Sequence, residues 1–318
     1  MNKFNTLQYS RPILLGSIIS LLSACGSGDS SNLTSGRGGA ANSSLSLDIT
    51  DAAVDNAEEV WVEFTGVSIQ PSEDGEDQST LEFTFAPPKR INLLALQGNN
   101  VQSLLDDEII ASGSYDWIRL AVNAEQDGTL DSYIKLKDGS EHEFSIPSGS
   151  QTGLKINTGF ELTTAAEFNY TIDFDLRKSV VLTGGGEYIL RPTLRLINNA
   201  TSATITGTVD AALLSTVTAG CSDDDPDTGN AVYLFENIDA TPDDIDNQPE
   251  NPFSTSLVTL NTSGEYVYTL GFIPEGEYTI SFTCESDLDD PETDDAAVSF
   301  TGTSNITLTS GQTLSFDF

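Results

Sequence analysis

The sequence predicts an all-β protein: two β-sandwich modules that follow a signal peptide and a flexible tether. Three observations carry this expectation. From Ser44 onward, apolar residues recur with period two, the mark of half-buried strands. Turn-forming pairs such as Asp138-Gly139, Ser263-Gly264 and Ser310-Gly311 interrupt these runs at short intervals, as they do between strands of all-β domains. Helical periodicity is confined to one short stretch, 92–107.

The first element, 1–24, has the three parts of a secretory signal. Lys3 and Arg11 supply positive charge, 12–22 is uncharged and mostly apolar, and Leu22-Ser23-Ala24-Cys25 ends it with small residues. The apolar run is too short for a spanning helix, which needs about 20 residues. Residues 25–43 are rich in Gly, Ser and Asn and read as a flexible tether.

The first module is expected over 44–199. Leu45, Leu47 and Ile49 share one strand face; Val60, Val62 and Phe64 share another, and Val67 and Ile69 resume that register beyond a bulge at Gly66. Leu81, Phe83 and Phe85 alternate, as do Ile118, Leu120 and Val122. Asp138-Gly139 joins 133–137 to 141–146 in a two-residue hairpin. Ile172, Phe174 and Leu176 face inward on a late strand, and Leu190, Leu194 and Leu196 on the last.

The signal ending in Leu-Ser-Ala-Cys resembles the bacterial lipobox. That resemblance implies acylation of Cys25, palmitate included, and attachment to a membrane through that lipid. Gly26, where an Asp would imply inner-membrane retention, implies the outer membrane of a Gram-negative bacterium. Several motifs of the first module fall in order. They are Ile49-Thr50-Asp51-Ala52, Gly113-Ser114-Tyr115 with Ile118-Arg119-Leu120, Ile146-Pro147-Ser148-Gly149 and Gln151-Thr152-Gly153-Leu154-Lys155. Asp173-Phe174-Asp175-Leu176-Arg177-Lys178-Ser179 and Tyr188-Ile189-Leu190-Arg191-Pro192 complete them. Together they resemble the bacterial lipoprotein domain catalogued as domain of unknown function 4382. The resemblance implies an envelope location and no particular activity.

The second module is expected over 200–318. Short strands read at 203–209, 232–236, 257–260, 266–270, 277–284, 305–308 and 313–318, a number that suits an immunoglobulin-like sandwich. Gly264-Glu265-Tyr266 with Ile273-Pro274-Glu275-Gly276-Glu277-Tyr278-Thr279 resembles the carboxypeptidase-regulatory or transthyretin-like sandwich. Cys221 and Cys284 are the two cysteines left once Cys25 carries lipid. In an oxidising compartment they are expected to pair, closing a loop whose entropy is worth about 4 kcal/mol. The module is expected to fold alone.

Acidic residues outnumber basic ones 49 to 13, and after Arg195 the chain has 22 carboxylates and no Lys or Arg. Nucleic-acid binding, which needs basic patches, is excluded. The single histidine, His142, alternates with Phe144 and Ile146 and reads as structural; one His builds neither a zinc site nor a serine triad. Asp173, Asp175 and Arg177 are expected on one strand face, with Arg191 and Arg195 together on the last strand. A cross-strand charge ladder results, with Asp173 or Asp175 paired to Arg195. The alternatives for this face are a carbohydrate- or anion-binding surface and a glycosidase-type carboxylate pair. Neighbouring arginines argue against the last, because they hold both carboxylates ionised. Asp223, Asp225 and Asp227, with the 287–295 loop, read as solvated acidic loops or as a calcium or magnesium site. The expectation is therefore a lipid-anchored, non-enzymatic binding or structural protein whose partner is an envelope or extracellular protein or a glycan. A glycan-active hydrolase using the Asp173/Asp175 region, and an ion-dependent adhesion module, are the alternatives.

Overall fold

The computed structural model describes residues 42–52, 54, 57–72, 79–146, 153–215, 221, 225–246, 248 and 251–318. The signal at 1–24, Cys25 and nearly all of the tether lie outside them. Strand β1 (Asn42–Ala52) begins just inside the expected tether, because Ser43 is buried and its hydroxyl donates to the Thr163 carbonyl at 2.7 Å. The described chain is all-β. None of its helices is long and apolar enough to cross a membrane.

Two sheets build the first module. A four-stranded sheet has the order β13 (Leu194–Asn198), β10 (Glu167–Asp175), β1, β4 (Gln102–Ala111). β1 and β10 run parallel, the other pairs antiparallel. The second sheet has nine strands, in the order β11 (Val180–Leu182), β12 (Tyr188–Leu190), β7 (Glu141–Ser145), β6 (Tyr133–Leu136), β2 (Ala57–Pro71), β5 (Gly113–Asn123), β8 (Leu154–Ile156). β3 (Leu81–Asn92) also pairs with β2, and β9 (Phe160–Leu162) with β5. The alternating residues named from sequence meet between the sheets: Leu45, Leu47, Ile49, Val60, Val62, Phe64, Ile118, Leu120, Ile172 and Phe174 are all in one buried cluster. The register of β2 shifts at Gly66 against both neighbours, the bulge expected there.

Two expectations for this module need correction. Within 92–107 only Leu93–Leu96 is helical, a 3-10 turn, and β4 begins at Gln102. The strand was hidden because Leu104 and Leu105 are consecutive and both buried, and Asp107 has φ 50°, so bulges break the alternation. The last strand is also not continuous from Leu190 to Leu196. It divides at Arg191, Pro192 and Thr193 into β12 and β13, which belong to different sheets. Proline carries no N–H for a ladder, which suits such a break.

The second module holds two four-stranded sheets. One is β17 (Thr259–Leu260), β18 (Tyr266–Pro274), β14 (Ser202–Thr208), β21 (Thr313–Ser315); the other is β16 (Ser254–Leu257), β15 (Ala231–Glu236), β19 (Gly276–Thr283), β20 (Thr301–Leu308). Ile205, Val232, Leu234, Leu270, Ile280 and Phe282 fill the space between them, with the Cys221–Cys284 disulfide at its edge. β15 is buried on both faces. Tyr233 and Phe235 point the other way, into a small satellite cluster with Ile245 and Phe300.

The two cores are separate, yet Ala40–Phe318 form one compact unit. What joins them is the junction described next.

Candidate functional site

The junction is built on the end of β10. A buried face no longer alternates with a wet one there, because residues 170–175 are buried on both sides of the strand. One side meets the nine-stranded sheet, and Asp173 on the other is 5% exposed. Immediately after β10 the chain turns into a short helix, α1 (Leu176–Ser179). Asp175 caps it, its carboxylate accepting from the Lys178 amide at 3.2 Å, the usual work of an Asp at a helix start. The helical turn swings Arg177 out of the strand's alternation and into the second module.

Arg177 is buried, 3% exposed. Its guanidinium donates to the Ser286 carbonyl at 2.8 Å and to the Tyr233 hydroxyl at 3.3 Å, and lies 5.7 Å from the centre of the Tyr233 ring. Lys178 makes an ion pair with Asp175 at 3.2 Å and donates to the Pro252 carbonyl. Arg195, opposite Asp173 in the β10–β13 register, donates to the Asp173 carboxylate through Nε at 3.1 Å and through its terminal nitrogen. The same guanidinium lies 4.1 Å over the Phe253 ring of the second module. Burial works against the Arg195 charge, and Asp173 and Asp175 outweigh it, so the guanidinium is held above its ordinary value. Arg191 reaches Glu292 at 2.7 Å at the exposed rim. Further along, Gly271 of β18 packs so tightly on the 98–99 loop that a Cβ there would stand 2.2 Å from the Gly98 carbonyl oxygen.

The single charge ladder expected of Asp173, Asp175, Arg177, Arg191 and Arg195 is therefore corrected. Asp173 and Arg195 face each other across two strands, Asp175 serves α1 and Lys178, Arg177 leaves the strand altogether, and Arg191 sits in the break at Pro192. The aspartates are buried rather than displayed on a polar face.

Beneath Arg177, Tyr233 donates to Asp289, whose other oxygen accepts from the Ile245 amide at 3.0 Å. Burial lifts the Asp289 carboxyl to about 6, against the lowering effects of Tyr233, Arg177 and the Ile245 amide. Asp289, Asp244 and Asp295 offer carboxylate oxygens within 4.8 Å of one another. Asp244 accepts from the Asp295 amide at 2.8 Å, and Asp295 from the Asp290 amide at 2.7 Å. Among the described residues, these three could hold a divalent cation. Of the acidic loop residues named from sequence, Asp225 and Asp227 are exposed and share a turn, the Asp227 amide donating to Asp225 at 3.0 Å. They do not join this group, and Asp223 lies outside the described residues. Cys221 and Cys284 form the disulfide, with Cα atoms 5.4 Å apart. His142 is half-buried, tilted on the Tyr188 ring at 5.0 Å and paired with the Ser140 hydroxyl at 3.1 Å.

Two open clefts flank the junction. One, of about 550 Å³, is lined by Lys178, Arg191, Pro192, Asp246, Asn251 and Pro291. The other, of about 470 Å³, is lined by Arg177, Val180, Tyr188, Asp287, Leu288 and Asp289 among others. Neither is lined by Asp173 or Asp175.

Residues 42–192 match the family model described as a domain of unknown function, DUF4382. The match falls on the first module, called the DUF4382 module below. No curated protein matches the chain. Among solved structures, the chain is similar to a family 26 carbohydrate-binding module from Eubacterium rectale in complex with maltoheptaose (11% identity, TM-score 0.20, 86% of this chain and 92% of that one). It is also similar to a candidate cell adhesion protein from Bacteroides fragilis (8% identity, TM-score 0.21, 86% and 92%) and to the fimbrial anchor protein Mfa2 of Porphyromonas gingivalis (10% identity, TM-score 0.18, 80% and 83%). At these TM-scores the likeness carries no argument about function. The DUF4382 module supplies every cation of the junction.

Sequence reasoning did not find the partners in the second module, namely Tyr233, Phe253, Ser286 and Asp289. Nothing local marks them. The available signal was global: four cations crowd into 177–195 just before a segment that has none.

Proposed function

We propose that this chain is a lipid-anchored protein of the cell envelope, held through Cys25 to the outer membrane of a Gram-negative bacterium, and that it acts as a non-enzymatic binding or structural module. The observation that carries the non-enzymatic part is the state of Asp173 and Asp175. Both are buried, one held by Arg195 and the other by Lys178, and neither lines either of the two clefts at the junction. A glycosidase needs two carboxyls facing a substrate-sized space, one of them protonated; here both serve to neutralise cations at a junction. Docking through Arg177, Lys178 and Arg195 makes the DUF4382 module and the tail, which we read as a carboxypeptidase-regulatory-like sandwich, one stiff arm on a tether. The envelope location rests on the signal and on Leu22-Ser23-Ala24-Cys25. Replacing Cys25 with Ser tests it: acyl labelling and membrane retention are expected to disappear while the folded arm is unchanged. A Cys25→Ser protein that remains labelled and membrane-bound would sink the reading.

A further inference from the structure

On the outer face of the nine-stranded sheet, Arg119 of β5 and Lys155 of β8 stand directly opposite each other. Like charges so placed destabilise a sheet. The chain has a net charge of −36, yet among the described residues neither cation has a carboxylate ion-pair partner. The Arg119 Nε is shielded from solvent with no hydrogen-bond partner. What holds the two charges is Trp117: the Arg119 guanidinium lies 4.7 Å and the Lys155 ammonium 4.9 Å from its ring centre. Cation–π contacts at exposed sites are weak, which leaves both cations able to take an anion.

The Arg119 stem is fixed from below. It lies on Gly153, which has φ +65° and where a Cβ would stand 3.0 Å from Arg119 Cγ and 2.5 Å from the Leu120 carbonyl oxygen. Both Arg119 and the Gly153-Leu154-Lys155 run belong to motifs of the DUF4382 module that the junction leaves unexplained.

The same face continues toward a second aromatic site. Along β5, Trp117, Arg119, Ala121 and Asn123 alternate with the buried Ile118, Leu120 and Val122. Between the ends the floor is low, with Ala121 opposite Gly66 and Gly66 opposite Thr84. At the far end Asn123 donates to Glu63 at 3.1 Å and to Asp131 at 2.8 Å, and Arg90 lies 5.7 Å from the centre of the Trp61 ring and 6.0 Å from that of Tyr133. Trp61 and Trp117 are the chain's two tryptophans, and each carries an arginine. The span from Trp117 to Asn123 is about 20 Å at roughly 3.4 Å per strand residue.

We propose that this face binds an acidic glycan, with a sugar carboxylate between Arg119 and Lys155 and sugar rings on Trp117 and toward Trp61. Flat rings offer an apolar surface for sugar C–H faces, while amide and carboxylate edges bond hydroxyls, and a guanidinium beside an ammonium matches a carboxylate. An acidic peptide would meet the two cations but brings no sugar-ring faces to Trp117 and Trp61. Nucleic acid would need many more basic contacts. The proposal names the ligand class of the binding reading above and rests on it.

The test uses the purified protein in low salt, titrated with oligomers of galacturonate, of mannuronate and of glucuronate, with malto-oligosaccharide and polyglutamate alongside. At least one uronate oligomer is expected to bind saturably and to change tryptophan fluorescence, with malto-oligosaccharide weaker. Lys155→Gln, at an exposed position, is expected to weaken that binding about tenfold or more, Lys155→Arg to retain it, and Trp117→Phe to remove the fluorescence change. Binding of none of the three uronates overturns the proposal, as does binding that Lys155→Gln leaves unaltered. Polyglutamate bound as tightly as the best uronate and insensitive to Trp117→Phe assigns the face to acidic peptide instead. Because binding is measured in solution, failure here is distinct from failure of the envelope anchor, which Cys25→Ser labelling reports.

Discussion

The DUF4382 module and the tail handle charge in opposite ways. Every Lys and Arg of the chain lies at or before Arg195, and the tail answers with 22 carboxylates and no cation. A junction made of bridges from the cations of the first module to the carboxylates of the tail would be the simple expectation, and the structure departs from it. The first module neutralises two of these cations with its own aspartates, Asp173 for Arg195 and Asp175 for Lys178, while the buried Arg177 acts on Asp289 of the tail. What the tail contributes in the buried zone is mostly neutral: the Ser286 and Pro252 carbonyls, the Tyr233 hydroxyl and the Phe253 ring. At the rim, Arg191 and Glu292 form a plain ion pair between modules. The difference teaches where each kind of contact belongs. A buried charge needs a close counter-ion and satisfied donors, whereas the tail's acidic surplus acts at longer range and is screened by salt.

The largest expected effect comes from breaking a buried pair. Arg195→Met leaves Asp173 buried without its cation, and unfolding by urea is expected to show a loss of about 3–5 kcal/mol. Adding Asp173→Leu to that variant is expected to recover part of the loss, since replacing both partners with apolar groups avoids the stranded charge. If the double variant is as unstable as the single one, the pair is not what Asp173 needs.

Reduction of Cys221–Cys284 comes next. The chain-entropy model gives about 4 kcal/mol for a loop of 63 residues, and engineered cases deliver less. The loss is expected in the tail alone, read by hydrogen exchange in β15 and β19 against β2 and β5. Equal loss of protection in both modules would show that the bridge supports the junction as well.

Acidity gives a smaller effect with a fixed sign. The Asp289 carboxyl titrates at about 6 in the folded protein, above the usual aspartate value of about 3.9. The folded state therefore holds the proton more tightly. Its contribution is full below about pH 4 and is lost as pH rises through about 6, a change on the order of 2–3 kcal/mol. Asp289→Asn is expected to be more stable than the unaltered protein at pH 8 and to show a flatter pH dependence of melting. A variant less stable at pH 8 would mean that the charge is needed by Arg177 and Tyr233.

Arg191→Ala is expected to do least, below about 1 kcal/mol, because Arg191 and Glu292 are 51% and 37% exposed in their side chains. Its effect should vanish in high salt, while that of Arg195→Met should persist.

Much of this architecture was legible in the sequence. Period-two alternation located the core faces of β1, β2 and β5, because each of those strands has one wet or half-wet side over much of its length. It failed where both sides are covered or the pattern is bulged. β4 was obscured by the adjacent Leu104 and Leu105 and the φ of Asp107. The end of β10 misled for a different reason. A strand reading extended through Leu176 and Arg177 keeps Arg177 beside Asp173 and Asp175, but Asp175 caps a helical turn and sends the guanidinium elsewhere. In the tail, turn signals at Ser263-Gly264 and Ser310-Gly311 marked strand boundaries well, whereas the division of 257–260 between β16 and β17 was missed. Contacts between modules left no local trace, because carbonyls and an aromatic ring look the same in sequence whether they meet a cation or water.

The central claim is that Arg177, Lys178 and Arg195 dock the DUF4382 module and the tail into one cooperative arm. Scanning calorimetry of the mature protein, against its Arg177→Met/Arg195→Met variant, tests it most directly. The account predicts one transition for the unaltered protein and two for the variant, the second corresponding to a tail that still holds its disulfide. Two transitions in the unaltered protein, or a single undivided transition in the variant, would contradict it.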